Sequence, residues 1–180
     1  GRTVMTYQYD MAGNIIDQVS FESGQRLMFT NVMKLPLRIW DARQHIFSFT
    51  YDDILRPLTI RVTGGDGPTP LDHLVGKTVY GEGQPNDKQH NLRLHLFEVY
   101  DQSSITRRTD YDLNGNPLAT NKTFCRDHDI TINWDAPVNM EGDVYLSSMT
   151  YDALKRVVAA TAPHINGKPA SSYFPSYNEN

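Results

Sequence analysis

Cysteine is nearly absent from this chain, since only Cys125 occurs among 180 residues. One cysteine cannot form a disulfide within the chain, so packing and hydrogen bonds alone must stabilise the fold. Long apolar runs are absent as well, and none approaches the ~20 residues that a membrane-spanning helix needs. The sequence therefore predicts neither a disulfide-stapled scaffold nor a membrane span.

Positive charge is also scarce. The chain has 17 Lys and Arg residues against 21 Asp and Glu residues, which gives a formal net charge of −4. The only adjacent basic pairs are Arg107–Arg108 and Lys155–Arg156. Because nucleic-acid binding depends on a clustered basic surface, we expect no nucleic-acid partner.

The motifs of catalytic and metal sites are missing too. "YGEGQPND" begins like a dinucleotide fingerprint at Gly81 and Gly83, but loop-forming residues follow where a helix should open. "CRDHD" over 125–129 holds metal-ligand residue types, yet no second cluster completes four ligands. No H-E-x-x-H or G-x-S-x-G motif gathers the histidines. The histidines are scattered along the chain: His45, His73, His90, His95, His128 and His164. We therefore predict no enzyme, no cofactor and no metal.

What the sequence does contain is one recurring phrase, in which an aromatic residue precedes an aspartate. An apolar residue follows seven positions after the aromatic in five of the six copies. The six phrases span residues 9–16, 40–47, 51–58, 100–106, 111–118 and 151–158. Their aromatic–aspartate pairs are Tyr9–Asp10, Trp40–Asp41, Tyr51–Asp52, Tyr100–Asp101, Tyr111–Asp112 and Tyr151–Asp152.

One copy, "TDYDLNGNPL", raises the alternative of a calcium loop. Asp110, Asp112, Asn114 and Gly115 match the first half of an EF-hand loop, but Asn121 stands where its bidentate glutamate belongs. The other five copies replace two of these would-be ligands with unrelated residues. The phrase is therefore better explained as a turn between two strands.

Each part of the phrase has a physical role in such a turn. The aromatic ends the incoming strand and packs on one face, and the aspartate accepts hydrogen bonds from backbone N–H groups that follow it. Gly13 and Gly115 supply the positive φ that a tight hairpin needs. Where Leu55 and Lys155 replace glycine, we expect a longer turn or one of type I, so the hairpins should differ.

Alternating apolar residues mark the strands between these turns. Phe47, Phe49 and Tyr51 share one face of a predicted strand, and Leu92, Leu94 and Leu96 share one face of another. A helix is predicted only for 21–31. The fold class is therefore predicted as all-β, built of antiparallel hairpins.

The run of aromatic–aspartate phrases resembles the YD repeat of the Rhs and YD-repeat family, which includes the shell-forming B and C components of insecticidal toxin complexes. The resemblance covers essentially the whole chain. We therefore expect residues 1–180 to form a single repeat region and to be a fragment of a longer protein. It implies a curved or wound sheet, forming part of a shell that encloses or presents a C-terminal toxin polypeptide. Its partners would be the rest of that chain and the toxin, and its location secreted or on the bacterial cell surface.

The alternative is a module that binds carbohydrate or protein through exposed aromatic rings. The candidate aromatics are Tyr9, Trp40, Tyr100, Tyr145 and Tyr173. In either case a sheet without charged or disulfide-linked edges should self-associate, so we also expect a homo-oligomer through exposed strand edges.

Overall fold

The chain folds into antiparallel β-strands that follow one another in sequence order. A computed structural model describes residues 4–178, with thirteen strands and no helix among them. The strands are β1 (Met5–Tyr9), β2 (Ile15–Ser20), β3 (Gly24–Thr30), β4 (Pro36–Asp41), β5 (His45–Tyr51), β6 (Pro57–Gly64), β7 (Leu71–Tyr80), β8 (Leu96–Tyr100), β9 (Ser104–Tyr111), β10 (Pro117–Phe124), β11 (Tyr145–Tyr151), β12 (Val157–Ile165) and β13 (Ser172–Tyr173).

The hydrogen-bonded order of the strands is the same as their order along the chain, from β1 to β13. Each strand from β2 to β12 therefore lies between its predecessor and its successor, as in a meander of hairpins. This confirms the prediction of an all-β, antiparallel fold. No helix of sufficient length and apolarity to cross a membrane occurs between residues 4 and 178.

The chain divides into two compact units, and the division falls within β7. The first unit extends to Gly76 and includes the short segment Asn133–Ala136. The second begins at Lys77 and includes the rest of the chain.

In the first unit, cross-strand neighbours form an apolar row. Met28 lies opposite Ile39, Ile39 opposite Phe47, and Phe47 opposite Val62, which is one of the few buried residues. Phe49 continues the same face. Cross-strand pairs of aromatic and branched side chains are the main unit of sheet stabilisation.

In the second unit, two long loops supply the most buried apolar side chains. Leu92, from the loop 81–95, and Ile132, from the loop 125–144, are each only 2% exposed. The amide of Ile132 donates to Gln102 Oε1 at 2.9 Å, and Gln102 Nε2 donates back to the Ile132 carbonyl at 3.1 Å. Among the described residues no second sheet packs on this one. In this unit the loops therefore provide the covering layer that a second sheet would provide.

Two predictions of secondary structure were wrong. The segment 21–31 is not a helix, because Gly24–Thr30 forms β3 and pairs with strands on both sides. Leu92 and Leu94 do not belong to a strand, since β8 begins only at Leu96. Leu94 has a left-handed φ of 65°, which an extended strand cannot contain.

Candidate functional site

Five of the predicted turns share one hydrogen-bonding pattern, shown here for Asp112. The Gly115 amide donates to the Asp112 carbonyl at 3.1 Å, and the Asp112 amide donates to the Asn116 carbonyl at 3.0 Å. The Asp112 carboxylate oxygen Oδ1 accepts from the amides of Asn114 and Asn116, both at 2.8 Å. This is a three-residue hairpin loop. The backbone N–H groups that have no partner in the strand ladder donate to the aspartate instead.

The same contacts recur at the other four aspartates. In each, Oδ1 accepts from the amides two and four residues further on, at 2.8–3.1 Å. These aspartates are Asp10, Asp41, Asp52 and Asp152. The repeat aspartate therefore organises its loop through contacts within five residues of chain.

The residue four positions after the aspartate is a second determinant, which the sequence patterns did not assign. Its side chain donates to Oδ2 of the aspartate: Asn116 Nδ2 to Asp112 at 2.8 Å, and Arg56 Nε to Asp52 at 2.6 Å. His45 contacts Asp41 in the same way at 2.9 Å. An Asn, Arg or His four residues after an aspartate would therefore have helped to identify these turns from the sequence.

These hydrogen bonds favour the ionised aspartate. The side-chain hydrogen bond from Asn116 lowers the pKa of Asp112, and the backbone bonds from Asn116 and Asn114 act in the same direction. At Asp152 the backbone hydrogen bond from Arg156 is the main cause of a lowered pKa. Both oxygens of Asp112 are committed to the turn, and Asp110 contacts His90 instead.

The prediction that the turns with Leu55 and Lys155 in place of glycine would differ from the others was wrong. Leu55 and Lys155 have φ values of 64° and 62°, close to the 77° and 80° of Gly13 and Gly115. All four lie three residues after the aspartate, so the loop keeps one backbone conformation. The left-handed conformation costs a non-glycine residue about 1–2 kcal/mol. The aspartate hydrogen bonds offset that cost.

A seventh copy of the turn was missed because Thr30 and Asn31 stand in place of the aromatic and the aspartate. Asn31 Oδ1 accepts from the amides of Met33 at 2.9 Å and Leu35 at 3.0 Å, and Lys34 has φ 63°. The signal was Pro36, five residues after Asn31, since a proline stands at the same distance after Asp52 and Asp112.

The turn at Asp101 is one residue shorter than the others. The Asp101 amide donates to the Ser104 carbonyl at 3.0 Å. Asp101 Oδ1 accepts from the Ser103 and Ser104 amides at 2.7 and 2.8 Å, and both serine hydroxyls also donate to this carboxylate. Ser104 is completely buried. This turn therefore differs from the other five predicted turns, and it is the phrase that lacks an apolar residue seven positions after its aromatic.

The predicted aromatics do not share one role. The Tyr51 hydroxyl donates to the Pro36 carbonyl at 2.7 Å, and the Tyr111 hydroxyl donates to the Leu96 carbonyl at 2.6 Å. Burial raises the pKa of both tyrosines. In these two copies the tyrosine joins the end of its strand to the start of the preceding strand. Tyr9, by contrast, is 57% exposed.

Tyr100 belongs to a partly buried charge cluster. Its hydroxyl donates to Glu98 Oε2 at 2.7 Å, and Arg107 Nε donates to Glu98 Oε1 at 2.7 Å. Burial, together with the Glu98 contact, raises the pKa of Tyr100 to about 12. Trp40 lies opposite Leu27 and Ile46 within the sheet.

Replacing Tyr111 with phenylalanine should lower the free energy of unfolding by about 1–2 kcal/mol, because the Leu96 carbonyl loses its hydrogen bond. Urea denaturation measures the change. Tyr151→Phe is the matched control, since the Tyr151 hydroxyl donates to the Met149 sulfur, at 3.4 Å, where the Tyr111 hydroxyl donates to a backbone carbonyl. Equal losses in the two variants would contradict a specific role for the Tyr111 hydroxyl.

The residue types of the candidate metal cluster do not come together with further ligands in the described part of the chain. Between residues 4 and 178, no three His, Cys, Asp or Glu side chains gather closely enough to hold a metal ion. Cys125 is buried beside Met140, and the His128 ring contacts the Arg126 carbonyl. Gly81 lies against the Leu92 carbonyl, not at the opening of a helix.

Comparisons with known proteins agree with the fold. No protein-family model matches the chain, and no curated protein matches it by sequence. A crystal structure of TcdB2-TccC3-Cdc42 superposes on 95% of the chain with a TM-score of 0.76 and 18% identity. A Tc holotoxin pore of Photorhabdus luminescens superposes on 95% with a TM-score of 0.77 and 20% identity.

The chain spans about 9% of the length of each of these two structures. A structure of TcdB2-TccC3-TEV covers 88% of the chain, with 21% identity and a TM-score of 0.76. At these identities the likeness is one of fold. The resemblance to the YD-repeat family, which rested on the aromatic–aspartate phrases, is therefore confirmed at the level of the fold: a single antiparallel sheet of hairpins like that in the Tc toxin structures.

Proposed function

We propose that the chain is a non-enzymatic wall segment of a YD-repeat shell that encloses or presents a C-terminal toxin polypeptide. The observation that carries this proposal is the sheet of thirteen strands in chain order, which matches segments of Tc toxin structures at TM-scores of 0.76–0.77. A wall of this kind grows by adding one hairpin at a time, and six of the turns are closed locally by an aspartate of the repeat phrase.

The distribution of burial supports a wall. Few apolar side chains are completely buried, and large ones remain exposed in many strands, for example Phe29 at 57% and Ile60 at 37%. Hairpins that cannot bury both faces alone gain stability by stacking on neighbours. Exposed apolar surface of this extent is typical of a segment that other protein covers.

The proposal extends to the organisation and location of the parent protein. Residues 1–180 form one continuous repeat region within a longer chain, and the repeat residues Tyr9 to Asp152 act only as structural turns. The parent is exported from a bacterial cell, as toxin complexes are. Its partners are the remaining repeats and the enclosed polypeptide.

Protease protection in the longer protein tests the proposal. If the repeats enclose a C-terminal polypeptide, proteinase K should cut that polypeptide slowly in the native protein and rapidly after the shell is opened by denaturant. The Gly81→Ala variant, whose added Cβ would meet the Leu92 backbone, should give intermediate protection, and Gly67→Ala should behave as wild type. Equal cleavage of the native and denatured proteins would overturn the enclosure.

A second candidate function, carbohydrate binding, is favoured by one polar cavity. It has a volume of about 300 Å³ and lies between the loop 81–95 and the turn after Asp112. Lys88 lines this cavity beside Asn91, whose Nδ2 donates to the Tyr111 carbonyl, and an Arg93–Asp87 ion pair. The remaining donor and acceptor atoms of these groups are of the kind that binds sugar hydroxyls. The aromatics Tyr100 and Tyr145 are engaged with Glu98 and Phe124, so ring stacking is not the basis of this candidate. A glycan array distinguishes it from a purely structural role.

A further inference from the structure

The dipeptide Asn–Gly occurs twice in the chain, at Asn114–Gly115 and at Asn166–Gly167. An asparagine followed by glycine is open to spontaneous deamidation, because glycine has no side chain that keeps its backbone nitrogen away from the asparagine side chain. The two sites have much in common. Both asparagines are exposed, and both glycines have a left-handed φ of 80°. A difference in their reactivity would therefore reflect the hydrogen bonds and contacts around each glycine.

The first site is held by an aspartate turn. The Gly115 amide donates to the Asp112 carbonyl at 3.1 Å. Asp112 Oδ1 accepts from the amides of Asn114 and Asn116, both at 2.8 Å. A Cβ added to Gly115 would lie 2.8 Å from His95 Cε1, so this glycine is also packed against a neighbouring loop. The backbone nitrogen that would attack Asn114 is thus engaged, and the amides on both sides of it are fixed.

The second site lacks these restraints. Gly167 lies in the turn between β12 and β13, and its amide donates to no group in the described part of the chain. A Cβ added to Gly167 meets no atom within 4 Å. The hydrogen bonds of this turn belong to the residues on either side. The Lys168 amide donates to the Ile165 carbonyl at 3.0 Å, and the Asn166 amide donates to the Val144 carbonyl at 3.3 Å. The Gly167 nitrogen is therefore free to approach the Asn166 side chain.

We propose that Asn166 is a site of spontaneous deamidation in the folded protein, and that the aspartate turn protects Asn114 from the same reaction. The Gly167 backbone nitrogen loses its proton and attacks Cγ of Asn166. The new N–Cγ bond closes a succinimide ring, the Cγ–Nδ2 bond breaks, and the amide nitrogen takes up a proton and leaves as ammonia. Water then opens the ring at either of its two carbonyl groups. The product is aspartate or isoaspartate, and a carboxylate replaces the neutral amide in both cases.

The product changes the pairing of the neighbouring strands. The turn at Asn166 joins β12 to β13, where the Ala162 amide donates to the Ser171 carbonyl at 2.8 Å and Ala160 lies opposite Tyr173. Isoaspartate inserts an extra carbon into the backbone of this turn, so the register of the pair is lost. The Ala162 amide should then exchange its hydrogen about tenfold faster, the equivalent of one lost hydrogen bond. An unchanged exchange rate in the isoaspartate form would overturn this part of the proposal.

Peptide mapping by mass spectrometry, after incubation at mildly alkaline pH, tests the proposal. In the native protein the deamidated fraction should rise about tenfold faster at Asn166 than at Asn114, since the Gly115 amide must first give up a hydrogen bond. In urea both turns are lost, so the two sites should react at rates within about twofold of each other. Equal rates in the native protein, or a faster reaction at Asn114, would overturn the assignment of Asn166.

Asp112→Ala tests the protection of Asn114. Removing this carboxylate frees the turn, so Asn114 should deamidate about tenfold faster while Asn166 keeps its wild-type rate. Asp10→Ala is the matched control, because Asp10 makes the same contacts in a turn that contains no Asn–Gly pair, and it should change neither rate. An Asn114 rate that stays at the wild-type value in a folded Asp112→Ala protein would contradict the protection. The comparison of native and urea-treated wild type decides the proposal even where a variant fails to fold, and it is independent of the protease test of enclosure.

Discussion

Replacing Gly81 with alanine is expected to lower the free energy of unfolding by about 3 kcal/mol or more. A Cβ added at this position would lie 2.0 Å from the Leu92 carbonyl oxygen and 2.5 Å from the Leu92 Cβ. Most of the obstruction is backbone, so it cannot rotate away, and the part of the loop around Leu92 must move away from Gly81. Leu92, now 2% exposed, would lose its burial, which is worth about 1.5–3 kcal/mol in addition to the strain.

Urea denaturation of wild type and two alanine variants measures this effect. The matched control is Gly67→Ala, because a Cβ added at Gly67 meets no atom within 4 Å and Gly67 has no positive φ. We expect that control to differ from wild type by less than about 0.5 kcal/mol. If Gly81→Ala lowered the free energy of unfolding no more than Gly67→Ala does, the close contact between Gly81 and Leu92 would be contradicted.

Removing the Asp101 carboxylate is expected to have the second largest effect, a loss of about 3 kcal/mol. Asp101→Ala leaves the amide and hydroxyl of Ser104 without their acceptor, and Ser104 is completely buried. An unsatisfied buried donor costs about 1–3 kcal/mol. Asp101→Asn should be milder, about 1 kcal/mol, because asparagine retains an oxygen that can accept from the same amides.

The pH dependence of these two variants supplies a second measurement. Burial raises the pKa of Asp101, but the hydrogen bonds from Ser103 and Ser104 outweigh it, so the pKa lies below its usual value of 3.8. A lowered folded-state pKa means that the stabilisation is present above about pH 4 and is lost as the pH falls through the folded-state value. The stability difference between wild type and Asp101→Asn should therefore be constant at neutral pH and shrink below pH 4. A difference that grew towards acid would contradict the ionised cap.

The pKa values of other turn aspartates are lowered as well. The hydrogen bond from Asn14 lowers the pKa of Asp10, and backbone and side-chain bonds from Arg156 lower that of Asp152. The repeats are thus closed by a series of ionised carboxylates. The stability of successive hairpins should therefore depend on pH in the same direction.

The hairpin repeats were predictable because their contacts are local. An aspartate that accepts from amides two and four residues further on has its hydrogen-bond partners within one short phrase. The alternation of Phe47, Phe49 and Tyr51 likewise identifies a strand from neighbouring residues alone. Such features need no knowledge of distant residues. The sequence by itself therefore determined the fold class, five of the turns and the order in which the hairpins follow.

The remaining features depend on distant residues, and only the tertiary structure decided them. Alternating leucines predicted a strand at 92–96, but Leu92 instead fills the space beneath its own loop, packed against Gly81. The Trp134 amide donates to the Leu74 carbonyl at 2.9 Å, a pairing across sixty residues that no local pattern encodes. Burial and partner choice over such separations are set by which surfaces meet after folding, whereas turn geometry is set by covalent neighbours.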